Sequence, residues 1–288
     1  MRGKGIGSLK IETAEGIGFC SGVRRVIGIL EKVARERGGV ETLGAVVHNP
    51  QVLQRLAEIG IRVAKDVNDI HGNTVAISAH GLSLQLEAEI RARNIDIIDT
   101  TCPFVHRAQI AARRLAKSGF FVIIYGDANH PEVKGVLGWA KSRGIATLDE
   151  KFVASFDHLP HRLGVLSQTT QIASHFAEFV KKLIDSAFTR DSELRIIDTI
   201  CHEIRRQQAA ALELANRADL MFVIGSHTSA NTNHLAELCS TATKTYLVET
   251  AEEIQPSWLE GQCHMGITAG ASTSEQTINE VLMKLKAM

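Results

Sequence analysis

The chain has 288 residues, 44% of them hydrophobic and 22% charged, a composition typical of globular proteins. Its 32 basic and 32 acidic side chains cancel, which removes the basic excess expected of a nucleic-acid binder, and no apolar run reaches the roughly 20 residues that a membrane-spanning helix needs. Five cysteines without a Cys-x-x-Cys pair suggest neither a disulfide framework nor a zinc ribbon, and the opening MRGKGIGSL lacks the apolar stretch of a secretory leader, so the expectation is a cytoplasmic protein using no nucleic acid and no membrane.

In chain order, strand-length apolar runs recur: LKIETAEGIGFC, TLGAVVHNP, TVAISAHG, DIIDTTCP, FFVIIYGDANHP, RLGVLSQTT, LRIIDTICH, LMFVIGSHTS and HMGITAGAS. Nearly every run stops at a short stretch of Gly, Ser, Thr, Asn or His. Between them, VRRVIGILEKVARER, RAQIAARRLAKSG, SHFAEFVKKLIDSAF, QAAALELANRAD and ANTNHLAELCSTA space apolar residues by three and four, as amphipathic helices do. This alternation predicts an α/β fold with mainly parallel sheets.

The nine runs sort into three sets, each opening with a cysteine: Cys20 with His48 and His80; Cys102 with His130 and Thr169; Cys201 with Ser229 and Ser272. The hexads Ile-Ile-Asp-Thr-Thr-Cys, ending at Cys102, and Ile-Ile-Asp-Thr-Ile-Cys, ending at Cys201, support an internal triplication. Three small pseudo-repeated α/β domains follow, over residues 10–100, 101–197 and 198–288. Ligands of such sheets bind beyond the carboxyl ends of the strands, where the polar stops lie.

Cys20, Cys102 and Cys201 each fall where a strand gives way to a helix, a setting whose backbone amides and dipole favour a thiolate. Three thiolates on a four-iron cluster would leave one iron open to substrate. Core packing is the ordinary role of a buried cysteine, and it is the expectation for Cys239 and Cys263, which lack the repeated context. Zinc on three cysteines and a histidine is the rival, although structural zinc uses closely spaced ligand pairs.

His48, His80 and His130 follow strands directly and together suggest a cationic pocket for an anion. Ser229, Asn231 and Ser272 stand where helices begin after strands, as phosphate-binding donors do; ordinary capping is the alternative for each taken singly. Glu132, just past His130 and Pro131, is the candidate proton donor, against the alternative of a solvated acid at a helix start. Thr169, in the polar run SQTTQ, could equally be a turn residue.

The motifs GFCSGV, VVHNP, SAHGLS, DTTCP, NHPEVKG, SQTT, DTICH, GSHTSANTN and TAGAS, in order from about residue 16 to about residue 275, resemble those of the 4-hydroxy-3-methylbut-2-enyl diphosphate reductase family. The resemblance implies a three-domain cloverleaf around one [4Fe-4S] cluster per chain, and the last step of the non-mevalonate isoprenoid route, giving isopentenyl and dimethylallyl diphosphates. Carried over by motif, Cys20, Cys102 and Cys201 hold the cluster, whose open iron takes the substrate hydroxyl. His48, His80, His130, Ser229, Asn231 and Ser272 grip the diphosphate, Glu132 supplies protons and Thr169 positions the departing hydroxyl. Ferredoxin or flavodoxin delivers the electrons. The chain departs from the family's pattern on the substrate side, with Ala230 in place of a serine and, in HEIRRQQ after Cys201, Ile204 in place of a pocket threonine. A paralogous reductase of another allylic diphosphate or alcohol, and a cluster-based redox sensor, are the alternatives.

Overall fold

The computed structural model describes residues 10–141, 143–149, 160–187 and 191–288. Its strands are β1 Lys10–Thr13, β2 Val40–Leu43, β3 Ile61–Ala64, β4 Thr74–Ile77, β5 Asp96–Ile98, β6 Phe121–Tyr125, β7 Gly144–Thr147, β8 Arg162–Ser167, β9 Glu193–Ile196, β10 Leu220–Ile224, β11 Lys244–Val248 and β12 His264–Ala269. The helices are α1 Ser21–Arg37, α2 Pro50–Glu58, α3 Leu84–Ala92, α4 Pro103–Lys117, α5 Pro131–Trp139, α6 Ala173–Ala187, α7 His202–Ala215, α8 Ala230–Ser240 and α9 Glu275–Ala287. Among the described residues no helix is long and apolar enough to cross a membrane.

The strands form three four-stranded sheets, ordered β3-β2-β4-β5, β7-β6-β8-β9 and β11-β10-β12-β1, every pairing parallel. The expected α/β class with parallel sheets is therefore observed, and the triplication is visible in the strand order. The chain's ends meet in the third sheet: β1, at the head of the expected first domain, pairs with β12, Lys10 opposite His264 and Thr13 opposite Ile267. Each cysteine consequently follows the last strand of a sheet rather than opening one. Cys102 comes after β5, Cys201 after β9 and Cys20 after β1.

Chain contacts divide the described residues into two compact units, one drawn from residues 10–20, His48–Val52 and His202–Met288, the other from the described parts of Ser21–Val47 and Leu53–Cys201. In the second unit, alternation along FVIIY sends Val122 and Ile124 to a core shared with Ala112, Leu115 and Val136 of α4 and α5. Ile123 and Tyr125 pack on the opposite face with Phe176, Phe179 and Leu183 of α6. A strand covered on both faces reads as the continuous apolar run seen here, and each fully buried large side chain stabilises the fold by about 1.5–3 kcal/mol. In the first unit, Phe222 and Ile267 meet Val281 and Leu285 of α9. Met221 and Val223 meet Leu214 of α7 and Leu235 of α8.

Three strands had no counterpart among the nine predicted runs: β3, β7 and β11. Each is an edge strand at the same place in its sheet. Their burial is partial, as in Gly144–Thr147, where all four residues are half-buried, so none shows the continuous apolar run of a central strand.

Candidate functional site

The three cysteine turns are built alike. The amide of Cys20 donates to the carbonyl of Ala271 (3.1 Å), that of Cys102 to Ala79 (3.0 Å) and that of Cys201 to Thr169 (3.0 Å). In every case the acceptor lies in the loop after the third-placed strand of the sheet, β12, β4 or β8. A helix starts at the next residue, and Cys102 is itself the N-cap of α4, with extended backbone and no hydrogen bond from its side chain to the helix. The backbone turn thus repeats at all three cysteines, and at Cys102 the side chain does not cap the helix that follows. No disulfide engages any of the five cysteines. A thiol set of this kind, one per repeat at a helix start, suits thiolate ligation of an iron-sulfur cluster.

Cys239 packs in the core as expected, and Cys263 does not. Cys239 is fully buried among Leu214, Met221 and Leu235, where desolvation pushes its thiol up to about 12. Cys263 is exposed at the head of β12.

Glu132 is not a solvated helix-start acid. Only 3% of its surface is exposed. Its Oε1 accepts the backbone N–H of Thr169 and its Oε2 the Thr169 hydroxyl, both at 2.7 Å. Burial raises the carboxyl above its ordinary range, while the two bonds from Thr169 pull it back. Thr169 is likewise buried, so its side chain serves Glu132 and its carbonyl serves Cys201.

Two glycines let α5 press on the strand ends of the first sheet. A Cβ on Gly135 would sit 3.3 Å from the carbonyl oxygen of His80, and one on Gly138 would collide with Ser83. Trp139 Nε1 donates to the Leu82 carbonyl at 2.9 Å and fixes the approach. The rings of His80 and His130 consequently meet edge to face with centroids 5.3 Å apart. His130 caps α5 by accepting the Glu132 amide on Nδ1 (3.2 Å), so a neutral His130 carries its proton on Nε2. The Nδ1 of His80 lies 3.3 Å from the Ser78 hydroxyl. Burial lowers the pKa of His48, favouring its neutral form; a nearby anion would reverse that.

Ser229 caps α8 through Thr232 (3.4 Å), the ordinary role weighed for it. Asn231 is buried at 4% exposure and donates from Nδ2 to Gln207 Oε1 at 2.9 Å, its own Oδ1 having no partner within the protein. Ser272 does not start α9, whose cap is Ser274; it stays in the loop, its carbonyl accepting from Asn49 Nδ2 at 3.0 Å. Gln207 escaped the sequence reading. It fixes Asn231 while donating to the carbonyls of Ala269 (2.8 Å) and Gly16 (3.4 Å). The available signal was a polar residue on the buried stripe of α7.

Comparison with known proteins agrees with this geometry. The family model described as LytB protein matches residues 11–286. A protein of Dehalococcoides mccartyi (strain CBDB1) named 4-hydroxy-3-methylbut-2-enyl diphosphate reductase is 59% identical over 273 residues, covering 95% of this chain and 96% of its own. One of the same name from Geotalea uraniireducens is 38% identical, over 96% and 97%. Among solved structures, the E-1-hydroxy-2-methyl-but-2-enyl-4-diphosphate reductase from Plasmodium falciparum superposes with a TM-score of 0.91 at 25% identity, covering 97% of this chain and 88% of that one. A structure of (E)-4-hydroxy-3-methyl-but-2-enyl diphosphate reductase, described as the terminal enzyme of the non-mevalonate pathway, matches at 34% identity and a TM-score of 0.69, over 97% and 100%. The repeated cysteine turns, the parallel three-sheet fold and a match running almost end to end place this chain in the LytB protein family.

Proposed function

We propose that this chain reduces (E)-4-hydroxy-3-methylbut-2-enyl diphosphate to isopentenyl and dimethylallyl diphosphates. The C–O bond to the allylic hydroxyl breaks, two electrons and two protons enter, and water leaves. The buried Glu132–Thr169 pair carries this reading, because a carboxyl whose protonated form burial favours, touching a hydroxyl, is what proton delivery to a departing hydroxyl requires. When Glu132 holds a proton on Oε2, it donates to Thr169 Oγ1, and the threonine O–H turns toward the next acceptor, the substrate oxygen. Release of that proton leaves a carboxylate steadied by the Thr169 amide on Oε1.

Cys20, Cys102 and Cys201 would hold a [4Fe-4S] cluster, which when bound supplies the two electrons singly and an open Lewis-acidic iron. His48, His80, His130, Ser229, Asn231 and Ser272 would grip the diphosphate, His130 from Nε2, since its Nδ1 already accepts a backbone amide. Ferredoxin or flavodoxin would bring the electrons, in the cytoplasm. Each sheet with its helices is one domain of this reading, the third closing on the N-terminal strand.

Anaerobic assay of reconstituted protein with dithionite, a viologen dye and the butenyl diphosphate should form both five-carbon diphosphates, and Cys102→Ser should abolish them. A bound cluster without turnover would sink the reading in favour of a paralogous reductase. Ala230, which begins α8 without a hydroxyl, and Ile204, buried on α7, favour that second reading.

A further inference from the structure

The loops ending at Cys102 and Cys201 share one set of hydrogen bonds. Asp99 Oδ1 accepts the Thr101 amide at 2.9 Å, as Asp198 Oδ1 accepts that of Ile200 at 3.0 Å. Thr100 Oγ1 donates to the Ile77 carbonyl, as Thr199 Oγ1 does to that of Ser167. The cysteine amides complete the pattern. All these partners belong to the loop's own sheet or its strand ends.

Further bonds come from outside that sheet. Arg25, fifth residue beyond Cys20, donates from Nη1 to the carbonyls of Thr100 (3.4 Å) and Thr101 (3.3 Å), immediately before Cys102. Arg107, fifth beyond Cys102, donates from Nη2 to the carbonyl of Asp198 (2.9 Å), three residues before Cys201. The helix that follows one cysteine therefore clasps the loop that presents the next. Arg206 occupies the same place beyond Cys201.

We propose that Arg25 and Arg107 are positioning residues for the cluster ligands, each locking the loop that carries the following cysteine and holding a fixed positive charge beside it. The inference rests on the reading that these cysteines ligate a cluster. The Thr100, Thr101 and Asp198 carbonyls present negative dipole ends within three residues of a cysteine, whose thiolate would add a negative charge of its own. A guanidinium, charged at all working pH values and able to span two acceptors, offsets that charge and stiffens the turn. Reduction adds one more negative charge, so the cation favours the reduced cluster. Groups placed behind metal ligands commonly change metal retention or activity by about 10- to 100-fold when removed.

The test uses full-length reconstituted protein and two readouts besides turnover: the cluster's reduction potential, by dye-mediated titration followed by electron paramagnetic resonance, and its rate of loss in air. Arg25→Gln and Arg107→Gln should take up the cluster, shift its potential to more negative values and lose it about 10-fold faster. Arg25→Lys should restore the potential through its charge while recovering only part of the lifetime, because an ammonium lacks the planar fork. Arg114→Gln, an exposed cation on the same helix as Arg107, should match wild type in both. Melting curves of the apo forms separate these effects from loss of folding. Identical potentials and lifetimes across wild type and both Gln variants would overturn the proposal. Wild-type protein that binds no cluster would instead overturn the ligand reading, an outcome visible before any variant is made.

Discussion

At the strand ends of the second sheet Glu132 takes two hydrogen bonds from Thr169; at those of the third sheet Gln207 takes one from Asn231 and gives two to backbone carbonyls. Both arrangements bury polar groups almost completely. They differ in the one respect that matters for chemistry. A carboxyl can exist with or without its proton, and burial moves the balance toward the protonated form, whereas a pair of amides cannot titrate and can only face one way. Similar loops, repeated along the chain, thus provide a titratable group in one repeat and a rigid polar fixture in another.

The largest effect should come from removing the titratable member. Glu132→Gln keeps the shape but cannot deliver a proton or accept both bonds from Thr169, so kcat should fall about 10²- to 10⁴-fold with KM nearly unchanged. The dye-linked assay measures both. A variant retaining near-wild-type kcat would erase the distinction between the two pairs. The same carboxyl makes a stability prediction whose sign is fixed. Above the ordinary carboxyl value near 4.5 the unfolded chain has lost the proton that the native chain, with its raised value, still holds. Native protein then binds more protons, so the contribution of Glu132 to stability declines as pH rises through that window. Glu132→Gln should flatten this decline, and melting temperatures across a pH series would show it; parallel curves would refute the assignment of the raised value.

A smaller effect is expected at the amide pair. Gln207→Leu removes the acceptor that orients Asn231 and strips a donor from the buried carbonyl of Ala269. Leaving such groups unsatisfied costs about 1–3 kcal/mol, read as a lowered denaturation midpoint. If Asn231 grips the substrate, KM should rise about 10-fold while kcat holds, the equivalent of about 1.4 kcal/mol of binding. A fall in kcat at constant KM would mean that the third repeat also takes part in the chemical step, and the comparison would fail.

How much of this was legible beforehand follows from physical visibility. The central strands showed because burial on both faces writes a continuous apolar run; of the half-exposed edge strands, β1, β5 and β9 showed because each leads to a cysteine, while β3, β7 and β11 carry no such mark. The cysteine turns showed because two of them repeat nearly the same hexad. Closure of the third sheet by β1 was hidden, since pairing between the first and last segments of a chain leaves no local mark. Glu132 was found by its place beside His130, but its burial against Thr169 depends on β8 and α5 lying together. Gln207 looked like any polar residue of a helix until packing put it on the covered face, and the starting point of α9 was misplaced because Ser272 and Ser274 are equally good caps by residue type.

The smallest effect on chemistry belongs to the helix that carries Asn231. Two turns further along α8, Cys239 is as buried as the polar pairs, yet its neighbours Leu214, Met221 and Leu235 offer it no charge and no strong donor. Its thiol is pushed up to about 12, so it stays protonated and is a poor metal ligand at any ordinary pH. Cys239→Ser should therefore leave cluster content, reduction potential and kcat at wild-type values. Replacing the thiol by a more polar hydroxyl in that apolar setting should still lower stability by about 1–3 kcal/mol, seen in denaturant titration. Burial does not sort the cysteines, since Cys201 is buried and Cys263 exposed; loss of iron from this variant would show that an apolar helix interior also fails to mark a structural cysteine, whereas loss of stability with iron retained would support the turn before the helix as the mark of a ligand.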